Sequence, residues 1–131
     1  MVRYSLPEGH RVAPPGRILV IGASGGLGGA LARHYAVPGA RLLLWGRNAA
    51  KLQALADRCS AAGACAQIRS VDLTDLAAAL AALVEDDGQD AIGTVLFAAG
   101  LGDIRAQGDR VEDAALVARL AAVNFTAPAV L

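Results

Sequence analysis

A doubly wound α/β fold is predicted for this chain, a parallel sheet held between two layers of helices. Three observations predict it. Short apolar runs alternate with segments of helical spacing four times over residues 17–131. The runs are rich in Ile, Leu and Val, the composition of strands buried on both faces. Between consecutive runs lies enough chain for a helical crossover. Parallel strands require such crossovers, and their shared hand sets helices on both faces of the sheet. The expected architecture is three-layer α/β/α with about four strands present.

Residues 1–16 read as an irregular N-terminal segment, and Pro14-Pro15-Gly16 punctuates its end. Residues 17–131 form the domain proper. The first strand is Arg17 to Ile21, directly before a glycine cluster. Gly25 to Ala36 is small and apolar and reads as a helix, stopped by Pro38-Gly39. Leu42 to Trp45 is the second strand. Asn48 caps a second helix that runs to about Ala62, with Leu52, Leu55 and Ala56 on one face and Gly63 at its stop. Ala64 to Val71 is the third strand. Either Thr74 or Asp75 caps a third helix running to about Asp86. Ile92 to Ala98 is the fourth strand, ending at Gly100. Residues 101–111 form a loop, and Glu112 to the end reads as a fourth helix with Leu116, Leu120 and Val123 at helical spacing.

The chain has 131 residues, a length that suits one domain. It is 55% hydrophobic and 18% charged, with twelve basic and twelve acidic residues. A balanced charge and a pI near 6.7 leave no electrostatic footprint for nucleic acid or an anionic membrane. The charged residues and prolines of the first fifteen positions break any apolar signal segment. The longest apolar stretch, Leu76 to Val84, is far short of the roughly 18 to 20 residues that span a bilayer. Cys59 and Cys65 lack metal-ligand spacing and a nearby histidine, so no metal site is expected. They read as reduced structural thiols of a cytoplasmic protein.

Gly22-Ala23-Ser24-Gly25-Gly26-Leu27-Gly28 lies where the first strand ends and the first helix begins. Its placement carries more information than the glycines alone. A helix N-terminus presents unpaired N–H groups and about half a positive charge, which favours a pyrophosphate. Glycine lets the backbone turn tightly and the phosphate approach closely. This is the strand–turn–helix context of a Rossmann-type dinucleotide fold. Gly22, Gly26 and Gly28 fit GxxxGxG, while Gly22, Gly25 and Gly28 fit GxxGxxG.

The end of the second strand bears on which dinucleotide binds. An acidic residue there would bond the adenosine ribose hydroxyls and repel a 2′-phosphate. This chain has Gly46 and then Arg47. A guanidinium pairs bidentately with phosphate and stacks on adenine, which points to NADP over NAD. Read without a ligand, Arg47 is a solvated residue before a helix.

On the string Ile21 to Gly28, the sequence resembles the short-chain dehydrogenase/reductase family, whose ordinary members carry GxxxGxG. The resemblance covers residues 17–131, the cofactor half of that family's domain. It implies that Asp72 touches the adenine edge and that Leu73 lines the adenine pocket. Asp72 also reads as a turn or cap residue before Thr74, and one carboxylate can serve both ends. Ala98-Ala99-Gly100 resembles the family's Asn-Ala-Gly segment at the fourth strand, with Ala98 in place of Asn. The implied contact there is backbone to the cofactor ribose. Asn124, in Val123-Asn124-Phe125, matches the family's helix asparagine, which supports a catalytic lysine through water. Cofactor contacts are thus expected at Gly22, Ser24, Gly25, Gly26, Leu27, Gly28, Arg47, Asp72, Leu73, Ala98, Ala99 and Gly100.

Hydride transfer to a carbonyl needs a proton donor beside the developing alkoxide. The family uses Tyr with a Lys four residues on, and a Ser that polarises the carbonyl. Here the only tyrosines are Tyr4 and Tyr35 and the only lysine is Lys51, none in that arrangement. Asn124 is left with a supporting role, and this chain alone is expected to be inactive. The chain stops within a helix on Ala129-Val130-Leu131, with a further strand due beyond the fourth. A fragment, or a reading frame that ends early, is the expectation. The resemblance implies an NADP-dependent oxidoreductase acting on a small carbonyl or alcohol, homo-oligomeric at full length. A non-catalytic dinucleotide-binding module is an alternative. So is an adenosine-cofactor methyltransferase, against which Arg47 argues.

Overall fold

The computed structural model describes residues 16–100 and 114–131. The expected N-terminal irregular segment, the loop after Gly100 and the start of the last helix lie outside the described residues, apart from Gly16. In the rest, each apolar run is a strand and each spaced segment a helix. The order is β1 (Arg17–Ile21), α1 (Gly26–Tyr35), β2 (Arg41–Gly46), α2 (Ala49–Ala61), β3 (Cys65–Ser70), α3 (Leu76–Gln89) and β4 (Ile92–Phe97). The terminal helix comprises α4 (Ala114–Ala121), a π-helical turn (Ala122–Thr126) and α5 (Ala127–Val130).

The four strands are parallel in the order β3-β2-β1-β4. β1 is central and buried along its whole length; the apolar run Ile18 to Ile21 anticipates this, and Arg17 does not. Its alternate residues face opposite layers. Ile18 and Val20 join the core under α1 and α2, with Leu42, Leu44, Leu52 and Leu55. Leu19 and Ile21 join the core under α3 and the terminal helix, with Leu43, Trp45, Ala79, Val123 and Ala127. Burying each large side chain of this kind contributes about 1.5–3 kcal/mol.

The helix starts differ in a way that prepares the site. Asn48 caps α2 by accepting from Lys51 N–H at 3.0 Å. Asp75, rather than Thr74, caps α3, accepting from Ala78 N–H at 3.1 Å. Thr74 is held by Asp72 instead. At α1 the cap position is Gly25, with no side-chain bond and no acidic residue in the first turn. The third helix runs to Gln89, one turn beyond the expected end near Asp86, because nothing after Asp86 breaks it until Asp90 turns extended.

The spacing of Leu116, Leu120 and Val123 predicts a regular terminal helix, but the helix is interrupted. A π turn carries Asn124, and Pro128 explains it. A proline ring crowds the carbonyl four residues earlier and offers it no N–H. That carbonyl belongs to Asn124, and widening the helix by one residue relieves the clash.

A buried polar cluster ties α3 to the sheet, and nothing in the sequence pattern announced it. Arg17 is 3% exposed and Asp86 5%. Arg17 donates to the Asp86 carbonyl at 2.6 Å and to Gln67 Oε1 at 2.8 Å. The Asp86 carboxylate accepts from Trp45 Nε1 at 3.0 Å and from Arg69 at 2.7 Å. Arg69 also pairs with Glu85, and Arg41 with Asp90. Only Arg17 Nε lacks a hydrogen bond among the buried side-chain atoms described, and it faces Asp90 Oδ2 at 3.9 Å.

Candidate functional site

In a sheet of this order the chain leaves β1 toward β2 on one side and returns to β4 on the other. The carboxyl ends of β1 and β4 therefore part, and a crevice opens there. An open cleft of about 730 Å³ lies at this end. Gly22, Ser24 and Gly25 form one wall, Ala98, Ala99 and Gly100 the opposite one, and Arg47, Asp72 and Leu73 close the side under β2 and β3.

The turn after β1 is held by the sheet itself. Gly22 and Ala23 both donate to the Trp45 carbonyl, at 3.0 and 2.9 Å, and Ala98 donates to the Ile21 carbonyl at 2.8 Å. Gly22 has φ +84°, and a Cβ there would lie 2.5 Å from Ala99 N. Both facts require glycine. Gly28 sits under the turn, and a Cβ on it would strike the Gly22 carbonyl. Its role is close packing of α1 on β1, so it supports the cleft without lining it. Gly26 is open: a Cβ there would have no neighbour within 4 Å. The uncapped N-terminus of α1 therefore meets solvent beside the cleft with its N–H groups and partial positive charge.

Leu27 stands in the first turn of α1, so any contact it offers the cleft comes from its backbone rather than its side chain. Its side chain is 66% exposed and does not line the cleft. One residue along a helix turns the side chain by about 100°, so Leu27 and the buried Gly28 face different ways.

At the end of β2, Gly46 is buried because Ser24 stands against it; a Cβ would be 2.7 Å from Ser24 Oγ. Arg47 follows, exposed, at the rim of the cleft. It has no ion-pair partner among the described residues. Asp72 stands at the end of β3, where its Oδ1 accepts from the Thr74 hydroxyl at 2.7 Å and the Thr74 N–H at 2.9 Å. These bonds, led by the hydroxyl and aided by the charge of Arg47, hold the Asp72 carboxyl below its ordinary range. The carboxylate form is thus kept to lower pH in the folded chain, and the turn it braces loosens only as pH falls through that lowered value.

The sequence had not singled out Ile21, Trp45, Val71, Thr74 and Val123 as cleft residues. Ile21, Trp45 and Val71 stand at or next to strand ends, Thr74 lies in the turn before α3, and Val123 is on the inner face of the terminal helix. Asn124 neighbours the cleft: its Oδ1 is 3.5 Å from where a Gly100 Cβ would stand, and its side chain is exposed. The tyrosine that is described, Tyr35, ends α1, about 13 Å along the axis from the phosphate turn. Its ring packs edge-on against His34, with centroids 5.1 Å apart. Among the described residues, no group of histidine, cysteine and carboxylate side chains could hold a metal ion. No described helix is long and apolar enough to cross a membrane.

The model of the family described as short chain dehydrogenase matches residues 17–131. The chain belongs to the short-chain dehydrogenase family. That membership sets aside the methyltransferase reading. Solved short-chain dehydrogenases share the fold. A metagenomic short-chain oxidoreductase in complex with NADP is 32% identical, with TM-score 0.76, over 88% of this chain and 52% of its own. The bulky-bulky ketone specific alcohol dehydrogenase from Comamonas testosteroni is 30% identical, with TM-score 0.74, over 87% of this chain and 45% of its own. A 3-oxoacyl (acyl-carrier-protein) reductase from Agrobacterium tumefaciens with NADP bound is 25% identical, with TM-score 0.76, over 89% of this chain and 45% of its own. The chain thus spans about half the length of the solved short-chain dehydrogenases it matches. No protein of curated function matches the sequence significantly.

Proposed function

We propose that this chain is the NADP-binding half of an oxidoreductase that passes hydride between NADP(H) and a small carbonyl or alcohol. The observation that carries the reading is the cleft itself. A glycine turn that tolerates no side chain at Gly22 opens an uncapped helix N-terminus toward it, and Arg47, with no ion-pair partner among the described residues, stands at its rim. Bound nicotinamide dinucleotide supplies the hydride. The residues of this chain supply its seat: the turn and the start of α1 for the pyrophosphate, Asp72 and Leu73 for the adenine, Ala98 to Gly100 for the ribose. Asn124, beside Gly100, is a positioning residue in this reading.

Arg47 selects NADP in the proposal. A guanidinium gains a charge-assisted, bidentate contact from a 2′-phosphate that NAD lacks. Two relatives solved with NADP support it. NADPH and NADH titrated against the wild-type chain and Arg47→Ala test it, with bound-nicotinamide fluorescence as readout. NADPH is expected to bind at least tenfold more tightly than NADH, and Arg47→Ala to remove most of that margin. Equal affinities in the wild type would overturn the reading.

The proposal includes a cytoplasmic, homo-oligomeric protein that binds neither nucleic acid nor membrane. Its support is the even balance of twelve basic and twelve acidic residues, two free thiols, and the outward-facing Val117, Phe125 and Val130 of the terminal helix.

A further inference from the structure

Behind the phosphate turn a second groove of about 640 Å³ runs between α1 and α2. Arg33 lines it from α1, and Lys51 and Arg58 from α2; no carboxylate lines it. None of the three has an ion-pair partner among the described residues, whereas Arg17, Arg41 and Arg69 all do. The nearby carboxylate of Asp57 is turned to Gln53, from which it accepts at 2.8 Å. The chain as a whole is neutral, so this concentration of charge is local rather than a property of a basic protein.

Two features join the groove to the cleft. Ser24 and Gly25 line both, so a molecule lying over the phosphate turn borders both. Helical side chains also lean toward the helix N-terminus, and α1 and α2 both begin at the cleft end of the sheet. Arg33 shows the lean: its guanidinium reaches back to 3.4 Å from where a Gly29 Cβ would stand. Lys51 stands in the first turn of α2, four residues after Arg47, whereas Arg33 and Arg58 stand in the last turns of their helices.

Resting on the NADP reading above, we infer that Lys51 is a second specificity-determining cation, which holds the 2′-phosphate from the groove side while Arg47 holds it from the rim. Arg33 and Arg58 extend the positive field along the groove and draw the phosphate in. A dianionic phosphate leaves unmet charge after one guanidinium has paired with it, and a lysine ammonium is a compact point charge suited to the remainder. NAD presents hydroxyls at this position and gains nothing from Lys51.

The test is equilibrium binding of NADPH, NADH, adenosine 2′,5′-bisphosphate and AMP to the full chain, its Lys51→Ala and Lys51→Arg variants, and Arg47→Ala. Lys51 is exposed, and circular dichroism checks that each variant keeps its fold. Lys51→Ala is expected to weaken NADPH and the bisphosphate about tenfold and leave NADH and AMP unchanged, with Lys51→Arg restoring most of the loss. Unchanged NADPH affinity in Lys51→Ala, with a loss in Arg47→Ala, would overturn the inference and leave the NADP reading standing. An equal loss for all four ligands would overturn it too, by showing general attraction rather than selection. Equal binding of NADPH and NADH by the wild type, or binding of neither, would overturn both.

Discussion

At the scale of single residues, the site depends on where a side chain is forbidden. Gly22 and Gly28 face each other across the same turn, one in left-handed backbone against Ala99 and the other against the Gly22 carbonyl. Gly26 and Gly25 between them have room. Gly28→Ala is therefore expected to cost about 3 kcal/mol in chemical denaturation, because the neighbour it meets is backbone and cannot rotate away. Gly26→Ala is expected to leave stability within about 0.5 kcal/mol of the wild type. Equal unfolding midpoints for the two variants would contradict this division. The two thiols divide in a similar manner. Cys59 is buried and its pKa is pushed up by that burial, which keeps it as the inert thiol; Cys65 is exposed.

At the scale of elements, the helices separate those finished by their own side chains from the one left open. Asn48 and Asp75 close α2 and α3, and α1 starts on bare glycine. The open start lies at the cleft, where an anion rather than a side chain would complete it. α3 has an internal weakness with no such use. Gly88 stands near its last turn with nothing within 4 Å of a Cβ, and its φ is not positive. Gly88→Ala is expected to stabilise the chain by about 0.5–1 kcal/mol, the helical preference of alanine over glycine. A lower melting temperature would show that this backbone needs the freedom of glycine. The π turn is the other local departure, and it can be read from Pro128 once the helix is known to continue past it.

At the scale of the whole molecule, the sheet is held to α3 by apolar burial and by one ionic cluster. Asp86 is its centre: it takes a bond from Trp45, which floors the cleft, and one from Arg69 on the edge strand. Its backbone carbonyl takes a third from Arg17 in the central strand. Asp86→Ala is expected to cost about 3 kcal/mol, because it leaves the buried indole N–H and one arm of Arg69 without partners. Asp86→Asn, which keeps an acceptor and loses the charge, is expected to cost less. Urea denaturation of both variants checks the order; an Asp86→Ala midpoint equal to the wild type would mean that water replaces the carboxylate without loss.

Much of this was legible in the sequence. The unbroken Ile18–Ile21 run names a central strand because a strand buried on both faces does not tolerate polar alternation. The glycines after it name the turn because only they fit a left-handed residue and a close helix crossing. Gly46-Arg47 marks the end of the second strand, and the structure puts Arg47 at the rim of the cleft. What pattern could not carry depends on residues far apart in the chain. The Leu27 side chain points to solvent because helix phase, not membership of a motif, sets its direction. Arg17 and Asp86 meet across 69 residues, and no periodicity encodes a buried ion. Arg33, Lys51 and Arg58 read singly as solvated charges on two helices; only the packing of α1 on α2 lines them along one groove. The sequence by itself determined the elements, their order and the turn, because those follow from local sterics and hydrophobic period. The tertiary structure alone decided which charges share a space, because that is set by how the helices lie on the sheet.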